Sequence, residues 1–425
     1  MLKRLFDIDI CFYFYSIVML MTYANPYFVE FNQNGIGYIL ILYVGVVLCY
    51  QYFINKEKIN IKDNLCLYLY LLAYLVTTVA CMKYNFIGNV KIFIWSFIQI
   101  VLFYNLFKNA YKTSNFEKLI LFVELISLIL SIASVLGYVL FSKGILLKRL
   151  FGYYFDPNFG SVISVISISI SLYFLLKFKE KKSILHYVNL FFQTSYIILS
   201  QSRTGQLMIL FLSVFFLIHS IMNSRKKGIV LSIGLCLLFL FGQAPVNNVY
   251  RVANQILYLD GAFISEKDEL KDRGIKNQFD STSERFTIWE DALELFKKQP
   301  LTGVSYAGLQ TASKELRPSS YISKTDRDIH NGYIIVLTCG GLIGFIPIFI
   351  FMFKKFLLII TNFKVIFKDS QLLLLFSNVF LLLFSAVTLS EIFYQINFES
   401  AFFWVCLAIL SAHLKEVNAN EKCSN

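Results

Sequence analysis

Charged residues are scarce in this sequence, and their scarcity excludes an ordinary soluble protein. Only 16% of the residues are charged and 57% are hydrophobic, whereas soluble domains carry about 25% charged residues. Apolar segments of roughly 17 to 25 residues, separated by short basic loops, make up most of the chain, and a helix of that length crosses a hydrocarbon core. We therefore predict an all-α integral membrane protein.

Histidine is also scarce, and cysteine is missing from the one long polar interval, residues 245–329. The chain has four histidines, no two of which are spaced as metal ligands, and its eight cysteines all lie outside that interval. The pattern therefore predicts no metal site, and no disulfide in the interval. A glycine-rich phosphate loop is absent as well.

Twelve apolar segments are predicted as membrane spans. They lie at residues 8–24, 36–54, 64–82, 88–107, 119–142, 160–177, 184–201, 206–222, 228–244, 331–353, 371–388 and 399–413. The chain thus divides into spans 1–9 within residues 1–244, one large loop over 245–329, spans 10–12 within 330–413, and a tail over 414–425.

The distribution of basic residues predicts the orientation. With both termini in the cytoplasm, the inner segments hold 21 Lys and Arg residues and the short outer segments hold six, as expected because basic residues are retained inside. The interval 245–329 then faces outside. The net charge of +12 does not indicate a nucleic-acid partner, because the interval holds 13 acidic and 12 basic residues; membrane lipids are the expected partners.

An amphipathic helix is predicted over residues 282–298 of this outer loop. Ser281 and Glu284 have the spacing of a capping box, and Pro300 follows the helix. One predicted face carries Arg285, Trp289, Ala292, Leu293 and Phe296, and the opposite face carries Glu290, Asp291 and Glu294. Arg285 is unfavourable in the first turn because a cation there opposes the helix dipole.

His330 is a candidate proton acceptor because it begins the tenth span at the outer side. The partial positive charge of a helix N-terminus favours a neutral imidazole, the form that accepts a proton. An interfacial histidine beside a capping Asp328 or Asn331 is the alternative. His186, His219 and His413 lie at inner span ends and are predicted to be interfacial.

Two further arginines fall in short outer turns. Arg203 lies between two apolar spans, and Arg149 precedes a turn that contains Asn158. An arginine so placed needs an anionic partner or access to the interface. Lipid headgroups would suffice, and a diphosphate would fit the bidentate guanidinium.

These residues together resemble the O-antigen ligase and O-antigen polymerase superfamily. The motif runs Arg285-x3-Trp289-x2-Ala292-x3-Phe296-x3-Pro300-x2-Gly303, then His330-Asn331-x-Tyr333, and ends at Gly340-Gly341-Leu342-Ile343-Gly344. The turns around Arg203 and Asn158 resemble outer-loop patterns of the same group.

The resemblance implies the architecture of a C-type membrane glycosyltransferase in the bacterial cytoplasmic membrane, with the active site facing outside. It implies a glycan donor carried on undecaprenyl diphosphate and no cofactor. A chain-length regulator and a flippase of the same pathway are the implied protein partners.

The resemblance also implies roles for individual residues. His330 would accept the proton of the attacking hydroxyl, while Arg203 and Arg285 would stabilise the departing diphosphate. The remaining implied substrate contacts are Arg149, Asn158, Trp289, Asn331 and Tyr333.

We expect a polysaccharide polymerase, for O-antigen or capsule, that joins lipid-linked repeat units. A ligase that transfers the glycan to lipid A core or to a protein is the first alternative. A lipid-linked oligosaccharide flippase, of a different class, would carry charged residues along a cavity within the spans, and a structural subunit would not depend on His330.

Overall fold

The protein is described here by a computed structural model that covers residues 2–22, 33–59, 61–108, 115–146, 149–177, 184–257 and 282–424. Most of these residues, 81%, are helical. A two-residue antiparallel pair, β1 (Ile145–Leu146) and β2 (Arg149–Leu150), interrupts the helices. The structure is therefore all-α in its main architecture, as the composition predicts.

Seventeen α-helical segments are named here in chain order. The first ten are α1 (Ile8–Thr22), α2 (Gln33–Cys49), α3 (Leu65–Ala80), α4 (Phe86–Ile98), α5 (Asn115–Phe141), α6 (Pro157–Lys177), α7 (Ile184–Ser200), α8 (Arg203–Met222), α9 (Lys226–Phe241) and α10 (Gln243–Leu257). The others are α11 (Thr282–Lys298), α12 (Leu309–Leu316), α13 (Tyr321–Thr325), α14 (Gly332–Thr361), α15 (Phe363–Lys368), α16 (Ser370–Ser385) and α17 (Phe398–Ser424). Short 3-10 or π-helical turns, at Leu2–Phe6, Tyr50–Ile54 and Gln99–Tyr104, adjoin α1, α2 and α4, and the three helical residues Asn105–Phe107 follow the last of them.

The predicted count of twelve spans is too high for the part of the chain that the structure describes. Seven helical stretches there are long and apolar enough to cross a membrane alone, or eight if α9 and α10, bent by 75°, form one broken span. A helix lies in each predicted segment, but α1, α3 and α16 have only 15 or 16 residues. At 1.5 Å per residue they reach about 24 Å, less than a core of about 30 Å. The apolar runs continue past the helix ends into turns such as 386–388.

Helix α6 lies at the centre of the bundle. Its spanning window is 89% buried, and it packs against α5, α7, α8 and α16. Serines on α6 form hydrogen bonds with the surrounding helices. Ser127 Oγ of α5 donates to Ser167 Oγ at 2.7 Å, and Ser169 Oγ donates to Asn378 Oδ1 of α16 at 3.0 Å. Hydrogen bonds of this kind hold helices together in a membrane, where the hydrophobic effect does not favour contact between helices over contact with lipid.

The prediction that His186 and His219 are interfacial is wrong. Both side chains are buried. His186 Nδ1 lies 2.9 Å from Glu124 Oε1, and His219 Nδ1 lies 2.9 Å from the carbonyl oxygen of Phe367. A buried polar side chain at membrane depth needs such a partner, and tertiary packing supplies it here.

The tenth predicted span is broken at Gly341, although its apolar run is continuous. Gly341 has φ 60° and ψ −168° inside α14. In an unbroken helix Leu342 N would bond to Thr338 O, and Ile343 N to Cys339 O. The break frees these four groups at a depth where no water can satisfy them.

The segment 300–305, which we call the connector, satisfies all four groups. Leu342 N donates to Pro300 O (2.9 Å) and Ile343 N to Leu301 O (3.2 Å). In return, Val304 N donates to Thr338 O and Ser305 N to Cys339 O, each at 3.0 Å. Four bonds to the connector thus replace two helical bonds.

Two glycines permit this close approach. Gly303 has φ 68°, and a Cβ there would lie 2.6 Å from the carbonyl carbon of Cys339. A Cβ on Gly341 would lie 2.2 Å from Leu301 O. Both overlaps are with backbone atoms, so no side-chain rotation relieves them.

We predict that Gly303→Ala and Gly341→Ala each lower the midpoint of thermal unfolding in detergent. The left-handed conformation alone costs a non-glycine residue about 1–3 kcal/mol, and the backbone overlap adds to that cost. Unfolding followed by intrinsic fluorescence measures the shift.

The matched control is Gly234→Ala in α9, where an added Cβ has no neighbour within 4 Å. Alanine favours a helix over glycine by roughly 0.5–1 kcal/mol, so this variant is expected to be at least as stable as the wild type. Equal stability of the Gly341 variant and the wild type would contradict the role of the break.

Candidate functional site

His330 lies one residue before the cap of α14 rather than in its first turn. The cap is Asn331, whose Oδ1 accepts hydrogen bonds from Tyr333 N and Ile334 N at 3.0 Å each. His330 is half-buried and has φ 51°. A non-glycine residue in this left-handed conformation is held there by its surroundings, and such residues concentrate at functional sites.

Trp289 of α11 holds the backbone on the other side of His330. Its indole Nε1 donates to Ile329 O at 3.1 Å, and its ring packs edge-on against Phe286. The sequence assigns Trp289 to substrate contact. The structure shows a positioning contact next to His330, because the indole N–H donates to the protein backbone; the substrate contact stays a prediction.

A turn at residues 386–389 ties Asn331 to the start of α8. Asn331 Nδ2 donates to Val387 O (2.9 Å), and Gly332 N donates to Ala386 O (2.7 Å). On the opposite side of the turn, Thr388 Oγ1 lies 2.9 Å from Thr204 Oγ1. The neighbours of His330 and of Arg203 are therefore joined through one turn.

Arg203 is the first residue of α8 and is exposed. Ser202 caps the helix, because its hydroxyl oxygen accepts a hydrogen bond from Gly205 N at 3.3 Å. Thr204, the next residue, is buried against the 386–389 turn. The guanidinium of Arg203 thus extends from a fixed helix end.

Arg149 and Asn158 support that same helix end. Arg149 donates through Nε to Ser200 O (2.9 Å) and through Nη2 to Asn158 Oδ1 (3.2 Å). Ser202 Oγ donates to the same Asn158 Oδ1 at 3.0 Å. The Asn158 oxygen is therefore occupied by the protein, and the contact between Arg149 and Ser200 fixes the turn that precedes Arg203.

Arg285 lies on α11, which occupies the predicted bounds, one turn before Trp289. It is half-buried. The adjacent Glu284 pairs with Arg327 at 2.6 Å. The predicted cap Ser281 lies outside the described residues. Arg285 therefore lies on the same helix as Trp289, whose side chain holds the backbone next to His330.

The predicted faces of α11 need correction. The fully buried side is formed by Ile288, Ala292 and Leu295, whereas Leu293 remains 39% exposed. Asp291, predicted on the face opposite Trp289, accepts a hydrogen bond from Tyr321 N and pairs with Arg317 at 3.4 Å. The helix is rotated relative to the prediction because α13 and the turn before it supply partners for Asp291.

Tyr333 is partly exposed in the first turn of α14. Its hydroxyl donates to Leu383 O in α16 at 2.8 Å, and its ring lies 6.3 Å from that of Phe393. The hydroxyl thus ties α14 to α16. The rest of the ring remains exposed, with 39% of the side chain accessible.

Sequence analysis missed Glu391 and Glu399, which lie near the 386–389 turn and are fully buried. Glu391 Oε2 accepts a hydrogen bond from Ser385 Oγ at 3.0 Å. Burial, and then the charge of Glu399, raise the pKa of Glu391 well above its usual range. The signal was available: Glu391 stands in the short interval between the last two predicted spans, Glu399 begins the last of these spans, and no basic residue lies in the interval.

Comparison with known proteins gives one family match. A family model described as O-antigen ligase matches residues 188–349, from α7 to the middle of α14. No curated protein matches the chain. The matched region contains Arg203, Arg285, Trp289, His330 and Tyr333, but not Arg149 or Asn158. The match, together with the order of the motifs inside it, shows that this part of the chain is similar to the O-antigen ligase and O-antigen polymerase superfamily.

Proposed function

We propose that the protein is a polysaccharide polymerase of the bacterial cytoplasmic membrane. It transfers a glycan from undecaprenyl diphosphate to a hydroxyl of another lipid-linked repeat unit, outside the membrane. The observation that supports this best is the placement of His330. His330 is half-buried in a left-handed conformation, and its backbone is held between the bond from Trp289 to Ile329 O and the Asn331 cap of α14.

The reaction is a single displacement at the anomeric carbon. The acceptor hydroxyl gives its proton to His330 while its oxygen forms the new glycosidic bond. The bond from the anomeric carbon to the diphosphate oxygen breaks, and its electron pair leaves with the diphosphate. The configuration at that carbon is inverted.

The arginines stabilise the leaving group. Negative charge grows on the diphosphate in the transition state, and fixed cationic donors directed at that charge are an effective source of catalysis. Arg203 extends from the capped start of α8, and Arg285 from α11. Arg149, which already donates to Ser200 and Asn158, serves by holding the Arg203 turn in place.

A ligase is the second candidate, because the matching family model is described as O-antigen ligase. The donor and the site would be the same, and only the acceptor would differ.

An assay with purified protein and a lipid-diphosphate-linked repeat unit distinguishes the polymerase from the ligase. A ladder of lengthening lipid-linked glycans supports the polymerase, and transfer only after lipid A core is added supports the ligase. Movement of unreacted donor across the bilayer, without transfer, would overturn both in favour of a flippase.

We predict that His330→Ala inserts and folds normally but loses transfer activity by at least about 10²-fold, the usual contribution of a general base. Product gels measure the activity, and size-exclusion chromatography checks the fold. His413→Ala, at a half-buried histidine near the Lys415–Asp63 ion pair, is the matched control and should retain activity. Chain growth at the wild-type rate in the His330 variant would refute the mechanism.

We also predict that Arg203→Lys and Arg285→Lys each lose most of the activity, at least about tenfold. Lysine keeps the charge but lacks the planar fork that binds a diphosphate through two donors. Initial rates at saturating donor measure the loss. Arg251→Lys, at an exposed arginine of α10, is the control. Full activity in both lysine variants would show that charge alone is sufficient.

A further inference from the structure

The segment 390–397, between the 386–389 turn and α17, contains a carboxyl group that the mechanism above does not use. Glu391 in this segment is fully buried. Its Oε1 atom has no hydrogen-bond partner among the described residues, and neither carboxyl oxygen of the nearby Glu399 has one. A buried polar atom without a partner costs free energy, so its presence indicates a requirement other than stability.

The backbone around Glu391 is fixed to the start of α17. Asn397 Nδ2 donates to Glu391 O at 2.9 Å. Ser400 Oγ, in the first turn of α17, donates to Ile392 O at 2.6 Å, and Ser400 N donates to Asn397 Oδ1 at 2.7 Å. The Glu391 side chain therefore extends from a fixed point of the chain.

The carboxyl group of Glu391 reaches back across the 386–389 turn. Its Oε2 atom lies 3.0 Å from Oγ of Ser385, the last residue of α16. The carbonyl groups of this turn accept hydrogen bonds from Asn331 and Gly332 at the start of α14, and its other side contacts the start of α8. Glu391 thus closes the turn that joins α14 to α8.

The hydrogen bonds at Ser385 favour a protonated Glu391. The Ser385 hydroxyl has one proton and two acceptors within reach, Leu382 O at 2.8 Å and Glu391 Oε2 at 3.0 Å. An ionised carboxylate can only accept, so it competes with Leu382 O for that proton. A protonated Glu391 donates to Ser385 Oγ and leaves the hydroxyl proton for Leu382 O, so both contacts become hydrogen bonds.

The charged groups around Glu391 favour the same protonated form. Burial, the charge of Glu399 in α17 and the charge of Asp156, which precedes α6, raise the pKa of Glu391 well above its usual range. The hydrogen bond from Ser385 opposes this shift. Arg203 and His330 are the basic groups next to the helix starts that the turn joins, and neither forms an ion pair with Glu391 in the part of the chain that the structure describes.

We propose that protonated Glu391 is a positioning residue for glycan transfer, which holds the 386–389 turn closed and so keeps His330 and Arg203 in their relative positions. This inference rests on the proposed function. Ionisation places an unpaired charge inside the protein and takes the Ser385 proton from Leu382 O. The stabilisation of the turn is complete at a pH below the usual range of a glutamic acid, and it is lost as the pH rises through the raised pKa of Glu391.

The test measures kcat and KM for the wild type and two Glu391 variants over a series of pH values from neutral to alkaline. Glu391→Gln is neutral at every pH, and its amide donates to Ser385 Oγ. We expect wild-type kcat in this variant at neutral pH, and no loss at alkaline pH, where the wild type loses activity. Glu391→Met has a similar volume but cannot donate, so its kcat should fall at least about tenfold at every pH, with KM unchanged.

The matched control is Glu290→Gln, the same substitution at an exposed glutamate of α11. It should show the alkaline loss of the wild type. An alkaline loss in the Glu391→Gln variant equal to that of the wild type, or wild-type kcat in the Glu391→Met variant, would overturn the proposal.

Hydrogen–deuterium exchange shows whether this inference or the proposed function fails. Peptides that contain residues 385–391 and 330–334 should exchange faster in the wild type at alkaline pH, after correction for the intrinsic rate, but not in the Glu391→Gln variant. That difference without any glycan transfer would support the role of Glu391 in the turn and refute the polymerase. A glycan ladder without that difference would support the polymerase and refute the role of Glu391.

Discussion

The need to satisfy backbone groups at membrane depth governs this structure. The break at Gly341 frees two carbonyl and two amide groups of α14, and the connector 300–305 bonds to all four. Because the connector directly follows α11, the same bonds hold α11 against α14. Trp289 then reaches Ile329, and His330 takes its left-handed conformation. A backbone constraint inside the bundle thus helps to fix the backbone around His330 at its end.

The candidate site depends on a second tie, at the 386–389 turn. It joins the Asn331 cap to Thr204 and so joins the helix after His330 to the helix that begins with Arg203. Arg149 and Asn158 brace that helix start from a third part of the chain. Several residues predicted to contact the substrate thus form hydrogen bonds within the protein, and the proposed mechanism assigns the chemistry to His330, Arg203 and Arg285.

The sequence predicted the features that local pattern determines. The spacing of polar residues and the position of Pro300 predicted the bounds of α11, and Asn331 was one of two residues expected to cap α14. Patterns that depend on tertiary partners were missed. The apolar pattern around Gly340 and Gly341 is continuous, so periodicity predicted one unbroken span there, and the pairing of His186 with Glu124 joins residues 62 positions apart. The rotation of α11 followed from Asp291 meeting Arg317 and Tyr321, which no periodicity reveals.

The most direct test of the account is the stereochemistry of the bond that the purified protein makes. Transfer from a lipid-linked repeat unit of known anomeric configuration is followed by NMR of the new linkage. Direct displacement, with His330 as the proton acceptor and the diphosphate as the leaving group, predicts inversion at the anomeric carbon. Retention would require a covalent glycosyl intermediate and would contradict the single-displacement mechanism.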